Sequence, residues 1–183
     1  MRSTMMDFPL TVRHIFWHGR TTYADSEVVT NEAEGVRRIK FGALADRADQ
    51  LAAGLRRLGV EPGDRVATFA WNTQEHQEAY FAIPGMGAVM HTINIRLAAE
   101  QIRYIIGHAE DSVIILDASL APALAPVLAA GGDELKTLRH LIVFGEGDRS
   151  ELPKHIDYEE LLAAERPGFD WPEIEETAAR SSS

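Results

Sequence analysis

The sequence predicts an α/β fold, a mainly parallel sheet covered by helices on both faces, with a small antiparallel hairpin appendage. Three observations predict it. Short apolar, β-rich runs at residues 66–69, 113–116 and 141–144, with a weaker one at 88–92, alternate with segments of helical periodicity, which is how βαβ units read in sequence. The runs lack polar alternation, as expected of strands buried on both faces. Earlier in the chain, residues 27–30 and 36–41 flank Asn31-Glu32-Ala33-Glu34-Gly35, a polar, Gly-ended loop suited to a hairpin.

Taken in order, residues 1–8 read as an arm. A possible helix follows, with His14 and His18 four positions apart. After the hairpin, Leu44, Ala48, Leu51, Leu55 and Leu58 recur at steps of three and four and line one helix face. Gly59 supplies a left-handed stop, and Pro62-Gly63-Asp64 turns the chain into a strand starting near Arg65. Asn72 with Glu75 three positions on has the spacing of a capping box, and Glu78 also lies close to that positively polarised first turn. Pro84 and Gly85 end or bend this helix. A helix over 98–109 places Ile102, Ile105, Ile106 and Ala109 on one side, and residues 119–130 give another despite Pro122 and Pro126.

A length of 183 residues suits one domain or a compact pair and excludes a disulfide-stapled miniprotein. Lys and Arg total 18 against 28 Asp and Glu, a net charge of −10, so nonspecific binding to nucleic acid or anionic lipid works against repulsion. No cysteine is present, which removes thiolate catalysis, Fe–S clusters and Cys-based zinc sites. No apolar run approaches the roughly 18 to 20 residues of a membrane span, and the first eight residues lack the pattern of a signal peptide. The expected location is the cytoplasm.

Local motifs are weak. Gly85-Met86-Gly87-Ala88-Val89-Met90 begins like a dinucleotide fingerprint but ends a helix where the motif needs a preceding strand, and Met90 stands where its third glycine belongs. Gly145-Glu146-Gly147 does follow a strand, yet Glu146 and Asp148 would repel a phosphate. His14 and His18 lack an evident third metal ligand. His91 stands out among the histidines because it sits at a predicted strand end, where open α/β sheets place ligands, so it is read as a site-wall residue. The pairs Glu110-Asp111, Glu159-Glu160 and Glu175-Glu176 read as solvated surface. Trp17, Trp71 and Trp171 are too dispersed for a base-stacking platform.

A longer pattern is more specific. Leu55-Arg56-Arg57-Leu58-Gly59-Val60-Glu61-Pro62-Gly63-Asp64-Arg65-Val66-Ala67 is followed by Asn72, Glu78-Ala79-Tyr80-Phe81-Ala82, Gly85-Met86-Gly87-Ala88-Val89 and Asn94-Ile95-Arg96-Leu97, then by Ile102-Arg103-Tyr104-Ile105 and His108-Ala109. In order and spacing it resembles the start of an adenylate-forming acyl-CoA ligase. The opening Ser3-Thr4-Met5-Met6-Asp7-Phe8-Pro9-Leu10 is similar to the N-terminal arm of bacterial medium- and long-chain fatty-acyl-CoA ligases. That resemblance implies a fatty-acid substrate and a homodimer, with Asp7 as a subunit contact. In this family a carboxylate attacks the α-phosphate of ATP to give an acyl-adenylate and pyrophosphate, and the CoA thiol then displaces AMP. The complete enzyme therefore takes fatty acid, ATP, Mg and CoA.

The resemblance places the family's Ser/Thr/Gly-rich phosphate loop just after a segment like Glu176-Thr177-Ala178-Ala179, and no such loop occurs in these 183 residues. Lys40, Lys136 and Lys154 are the only lysines, and none adjoins a glycine. Family members are roughly three times as long. The expectation is thus a partial N-terminal domain over 1–183, with an arm at 1–8, the hairpin at 27–41, the α/β core at 42–145 and an acidic connecting segment at 146–183. It carries no catalytic, cofactor or metal residue of its own and is inactive alone. Ala98 follows Leu97 where relatives often place Ser or Thr, so that helix lacks a side-chain cap. Two other readings fit: a noncatalytic interaction module built on this scaffold, or the same portion of a short-chain or aryl acid ligase.

Overall fold

A computed structural model describes residues 9–32 and 35–175. Helix α1 (Val12–Thr22) leads into an antiparallel ribbon, β1 (Glu27–Glu32) and β2 (Gly35–Lys40), and then into α2 (Phe41–Arg57). Next come β3 (Arg65–Phe69), α3 (Gln74–Gly85), β4 (Val89–Thr92), α4 (Ala99–Ala109), β5 (Val113–Asp117), α5 (Ala121–Ala130), β6 (His140–Phe144), β7 (Ile156–Asp157) and α6 (Tyr158–Ala163). β3 to β7 form one all-parallel sheet in the order β4-β3-β5-β6-β7. The chain steps outward from β3 to β4, crosses back to β5 on the other side, and continues to β6 and β7.

Strand alternation divides the core between two layers. Val66, Val113, Ile115, Ile142 and Phe144 point to α2, α3 and α6, while Ala67, Phe69, Ile114, Leu116, Leu141 and Val143 point to α4 and α5. All five residues of β5 are buried, so the central strand reads as a continuous apolar run rather than an alternating one. On α2 the periodic stripe faces the sheet, with Leu44, Ala48, Leu51 and Leu55 fully buried. Gly54 on α2 lies under Leu161, whose nearest atom would stand 2.8 Å from an added Cβ. A side chain there would push α6 away.

Several local expectations need correction. Residue 41, read as the last residue of a strand, begins α2, and its ring packs against Phe16 at 6.3 Å. Asn72 does not cap α3. The N-cap is Thr73, with no side-chain cap bond, and Glu75 turns instead to Arg37, whose Nη1 and Nη2 donate to it at 2.7 and 3.0 Å. Arg37 comes from the hairpin, so a long-range ion pair displaces the local capping box. Ala98 indeed offers no side-chain cap, but Gln101 Oε1 accepts from its backbone N at 3.1 Å, which keeps half of a capping box. Residues 118–120 form a 3-10 turn, and α5 starts at Ala121. Its Pro122 and Pro126 are both exposed. Within 146–175, read as a connecting segment, the chain adds β7 and α6 to the sheet and its cover.

Candidate functional site

The crossing order creates a switch point. β3 is followed by α3 on one face and its neighbour β5 by α5 on the other, so their carboxyl ends open a crevice of the kind where α/β sheets bind ligands. Its residues come from the turns after the strands. Trp71, about half exposed, donates its indole N–H to Ser119 Oγ at 3.2 Å. Ser119 donates its backbone N–H and hydroxyl to Asp117 Oδ1 at 2.9 and 2.7 Å. Gly145, at φ +75°, brings the turn after β6 near the same carboxylate. The ring of turns therefore presents Asp117 and Glu146. Lys40 on the hairpin is tied to Asp25 at 2.7 Å, Lys136 precedes β6, and Lys154 lies between β6 and β7. The turn after β6 carries Arg149, whose Nη2 donates to Gly145 O and whose Nη1 donates to Asp157, each at 2.8 Å, so its guanidinium is already engaged.

Beside the crevice, buried acids bind the layers together. Glu78 on α3 is fully buried and accepts from Arg47 Nε at 2.6 Å, Gln74 Nε2 at 2.8 Å and the Tyr158 hydroxyl at 2.6 Å. Burial pushes the Glu78 carboxyl above its ordinary value, against the pull of Arg47 and the hydrogen bonds. The Tyr158 phenol is raised as well, by burial and by Glu78. Arg47 also holds Glu159 through both Nη atoms, at 2.9 and 2.6 Å. For Glu75 burial is the largest influence and works upward, but Arg37 together with hydrogen bonds from the Glu75 backbone and Thr73 leaves the carboxyl below its usual range. Asp49 on α2, fully buried, accepts from Arg20 Nη1 at 2.7 Å, Gly168 N at 2.7 Å and Trp171 Nε1 at 2.9 Å. These contacts strap residues 165–175 across α2, and Trp171 lies against Gly85, where an added Cβ would meet its ring at 2.6 Å. Gly85-Met86-Gly87 thus serves helix termination and packing.

Sequence reasoning missed Asp49 and Glu78 as buried groups. The signal was present: each stands among apolar residues of its helix, Asp49 between Ala45 and Ala52, Glu78 beside Ala79 and one turn before Ala82. Asp111 needs correction as well. It was read as solvated, yet it is fully buried, held by His91 Nδ1 at 2.8 Å, and burial pushes its carboxyl upward. Glu110 beside it is exposed, paired with Arg65 at 2.8 Å, and ends α4 at φ +54°. Glu159 is not merely solvated either, since Arg47 takes it, while Asp157 caps α6 by accepting from the Glu159 and Glu160 N–H groups. Glu175 is exposed, and Glu176 lies outside the described residues.

His91 stands third in β4, and its ring turns to Asp111 ahead of β5, toward the amino end of the sheet. His14 and His18 lie on the exposed side of α1, with His18 meeting Thr22 and Tyr23. Among the described residues no group of three His, Asp or Glu side chains could hold a metal ion. Asp7 lies outside the described residues. No helix among them is long and apolar enough to cross a membrane.

This geometry coincides with a known family. The model of the AMP-binding enzyme family matches residues 16–177. The chain belongs to that family. Among AMP-binding enzymes, the long-chain-fatty-acid–CoA ligase of Thermus thermophilus is 42% identical over 173 residues, 93% of this chain and 30% of the relative. The 3-methylmercaptopropionyl-CoA ligase of Ruegeria lacuscaerulensis is 36% identical over 185 residues, 99% of this chain and 34% of the relative. The solved structure of an anthranilate CoA ligase with anthranoyl-AMP superposes with a TM-score of 0.79 at 18% identity, over 96% of this chain and 31% of that one, and so shares its fold. The chain spans about a third of the length of the curated relatives it matches.

Proposed function

We propose that residues 1–183 are the N-terminal scaffold of an ATP-dependent fatty-acyl-CoA ligase. The parallel sheet and its helices wall a site that other parts of such an enzyme complete. In that reaction the fatty-acid carboxylate attacks the α-phosphate of ATP, pyrophosphate leaves, and the CoA thiol displaces AMP from the acyl-adenylate. The 42% identity to a long-chain-fatty-acid–CoA ligase supports a fatty acid, as does 35% identity to the medium-chain-fatty-acid–CoA ligase of Ectopseudomonas oleovorans. His91 of β4, held by Asp111, would stand in the wall of that site.

The observation that carries the reading is the make-up of the switch-point crevice: Asp117, Ser119 and Trp71 line it, and Arg149, in the turn after β6, is already held by Asp157 and Gly145 O. Donors for the triphosphate must come from elsewhere.

The test compares two proteins, assayed for acyl-AMP formation and for CoA thioester release. One is the 183-residue chain, and the other is a chimera in which it replaces the matching portion of the Thermus thermophilus ligase. The expected result is no turnover by the first and measurable turnover by the second. Turnover by the 183-residue chain alone would overturn the assignment. A short-chain or aromatic acid preferred by the chimera over a long-chain one would move the substrate class.

A further inference from the structure

One buried carboxylate on α2 holds two segments that are far apart in sequence. The Asp49 side chain has no exposed surface. Its Oδ2 accepts from Arg20 Nη1 of α1 and from the Gly168 amide, both at 2.7 Å, and its Oδ1 accepts from Trp171 Nε1 at 2.9 Å. Of these three donors only Arg20 is charged. Arg20 is itself held by Asp46, three positions earlier on α2, which accepts from its Nη2 at 2.6 Å. The guanidinium thus bridges a half-exposed acid and a buried one.

The two segments also meet directly. The Phe16 ring of α1 stands 5.4 Å from the Trp171 ring, and Arg13 Nη1 donates to Pro172 O at 3.2 Å. Residues 162–165, just before, are tied to α2 without any help from α1. Gln50 Nε2 donates to Leu162 O at 3.1 Å and to Glu165 O at 3.0 Å, and Arg57 Nε donates to Glu165 at 2.5 Å. The strap over α2 therefore has two halves with different dependence on α1. Within the second half, the Arg56 guanidinium lies 4.7 Å over the Phe169 ring, but Arg56 is exposed, where such a contact is weak.

We propose that Asp49 couples α1 to residues 168–172, so that both segments dock on α2 and open from it as one cooperative unit, separate from residues 162–165 and from the sheet. The physical reason is charge. Without Arg20 the carboxylate keeps two neutral donors and no cation, and a buried charge left in that state is strongly destabilising. Water relieves it only where one of its covers lifts, and the Gly168 and Trp171 side is such a cover. By linkage the coupling runs both ways, so loosening the strap loosens α1.

Hydrogen exchange of the 183-residue chain, followed by NMR, tests both directions. Arg20→Met keeps the stem and removes the cation. It should speed exchange of the Gly168 amide and the Trp171 indole N–H at least about tenfold, and leave the Ala164, Glu165 and β5 amides unchanged. Trp171→Phe keeps a ring against Phe16 and removes the indole donor, and it should speed exchange of the amides within α1 severalfold while β5 again stays unchanged. At the Gly168 amide the double variant should give less than the product of the two single factors, as coupled sites do. Factors that multiply would show independent docking and overturn the proposal. It would be overturned equally by an unchanged Gly168 amide in Arg20→Met, by an unchanged α1 in Trp171→Phe, or by acceleration that reaches β5 to the same extent.

Discussion

The two faces of the sheet are covered by different means. Against α4 and α5 the contact is mostly aliphatic, from Ile102, Ile106, Leu124 and Val127 onto Ala67, Ile114, Leu116 and Val143, with the ring of Phe69 among them. Against α1, α2, α3 and α6 the cover includes aromatic rings, with Phe16 to Trp171 at 5.4 Å and Phe16 to Phe81 at 5.0 Å, and the buried acids Asp49 and Glu78. Aliphatic packing holds a helix to a sheet through area alone and is indifferent to pH. Ion-paired acids add direction and long reach, at the cost of desolvation. The second face gathers segments distant in sequence, such as α2 with α6 through Arg47 and Glu159, so it needs directional partners that the first, built from consecutive βαβ units, does not.

The largest expected effect tests the aliphatic face. Ile106→Ala removes a fully buried side chain on α4 and should lower stability by about 2–5 kcal/mol, equally at pH 5 and pH 8, in urea unfolding. A strong pH dependence of that loss would erase the contrast between the faces. Next, Tyr158→Phe deletes the hydroxyl that donates to Glu78 and should cost about 1.5–3 kcal/mol, the range for a hydrogen bond to a charged group. A neutral result would mean that Arg47 and Gln74 satisfy Glu78 without it.

The subtlest effect sharpens the comparison through pH. Because the folded protein holds the Glu78 carboxyl above its ordinary 4.5, its contribution is fully present below the unfolded value and is lost as pH rises through the folded one. The stability of the native chain relative to Glu78→Gln should therefore fall as pH rises from 4.5, followed by urea midpoints across that window. Glu75 and Asp157, whose carboxyls are lowered, work in the opposite direction. They are common to both proteins and cancel in the difference. A relative stability that climbs with pH would contradict the burial of Glu78.

Much of the sheet was legible because its strands are apolar runs whose burial needs no knowledge of the partner. Residues 113–116 could only be a covered strand, and β5 spans Val113–Asp117. The α2 stripe was readable for the same reason. β7 and α6 were not, because a two-residue strand and a six-residue helix carry too few residues for a period to show. At the candidate site, the absence of a lysine-bearing glycine loop within these residues could be read from composition. The identity of Asp117, Ser119 and Trp71 as the crevice wall could not, because it depends on which strands become neighbours.

By itself, the sequence determined the α/β class, the two-sided burial of the strands and, through the long pattern from Leu55 to Ala109, the kinship with acyl-CoA ligases. These are properties of local periodicity and residue order, and each short segment carries its own share. Tertiary structure alone decided the strand order with its switch point, the exchange of Glu75's cap for Arg37, and the burial of Asp49, Glu78 and Asp111. A carboxylate on an apolar stripe is compatible with either a solvated or a buried helix edge. Only the arrival of Arg20, Arg47 or His91 from a distant element offsets the desolvation that burial imposes.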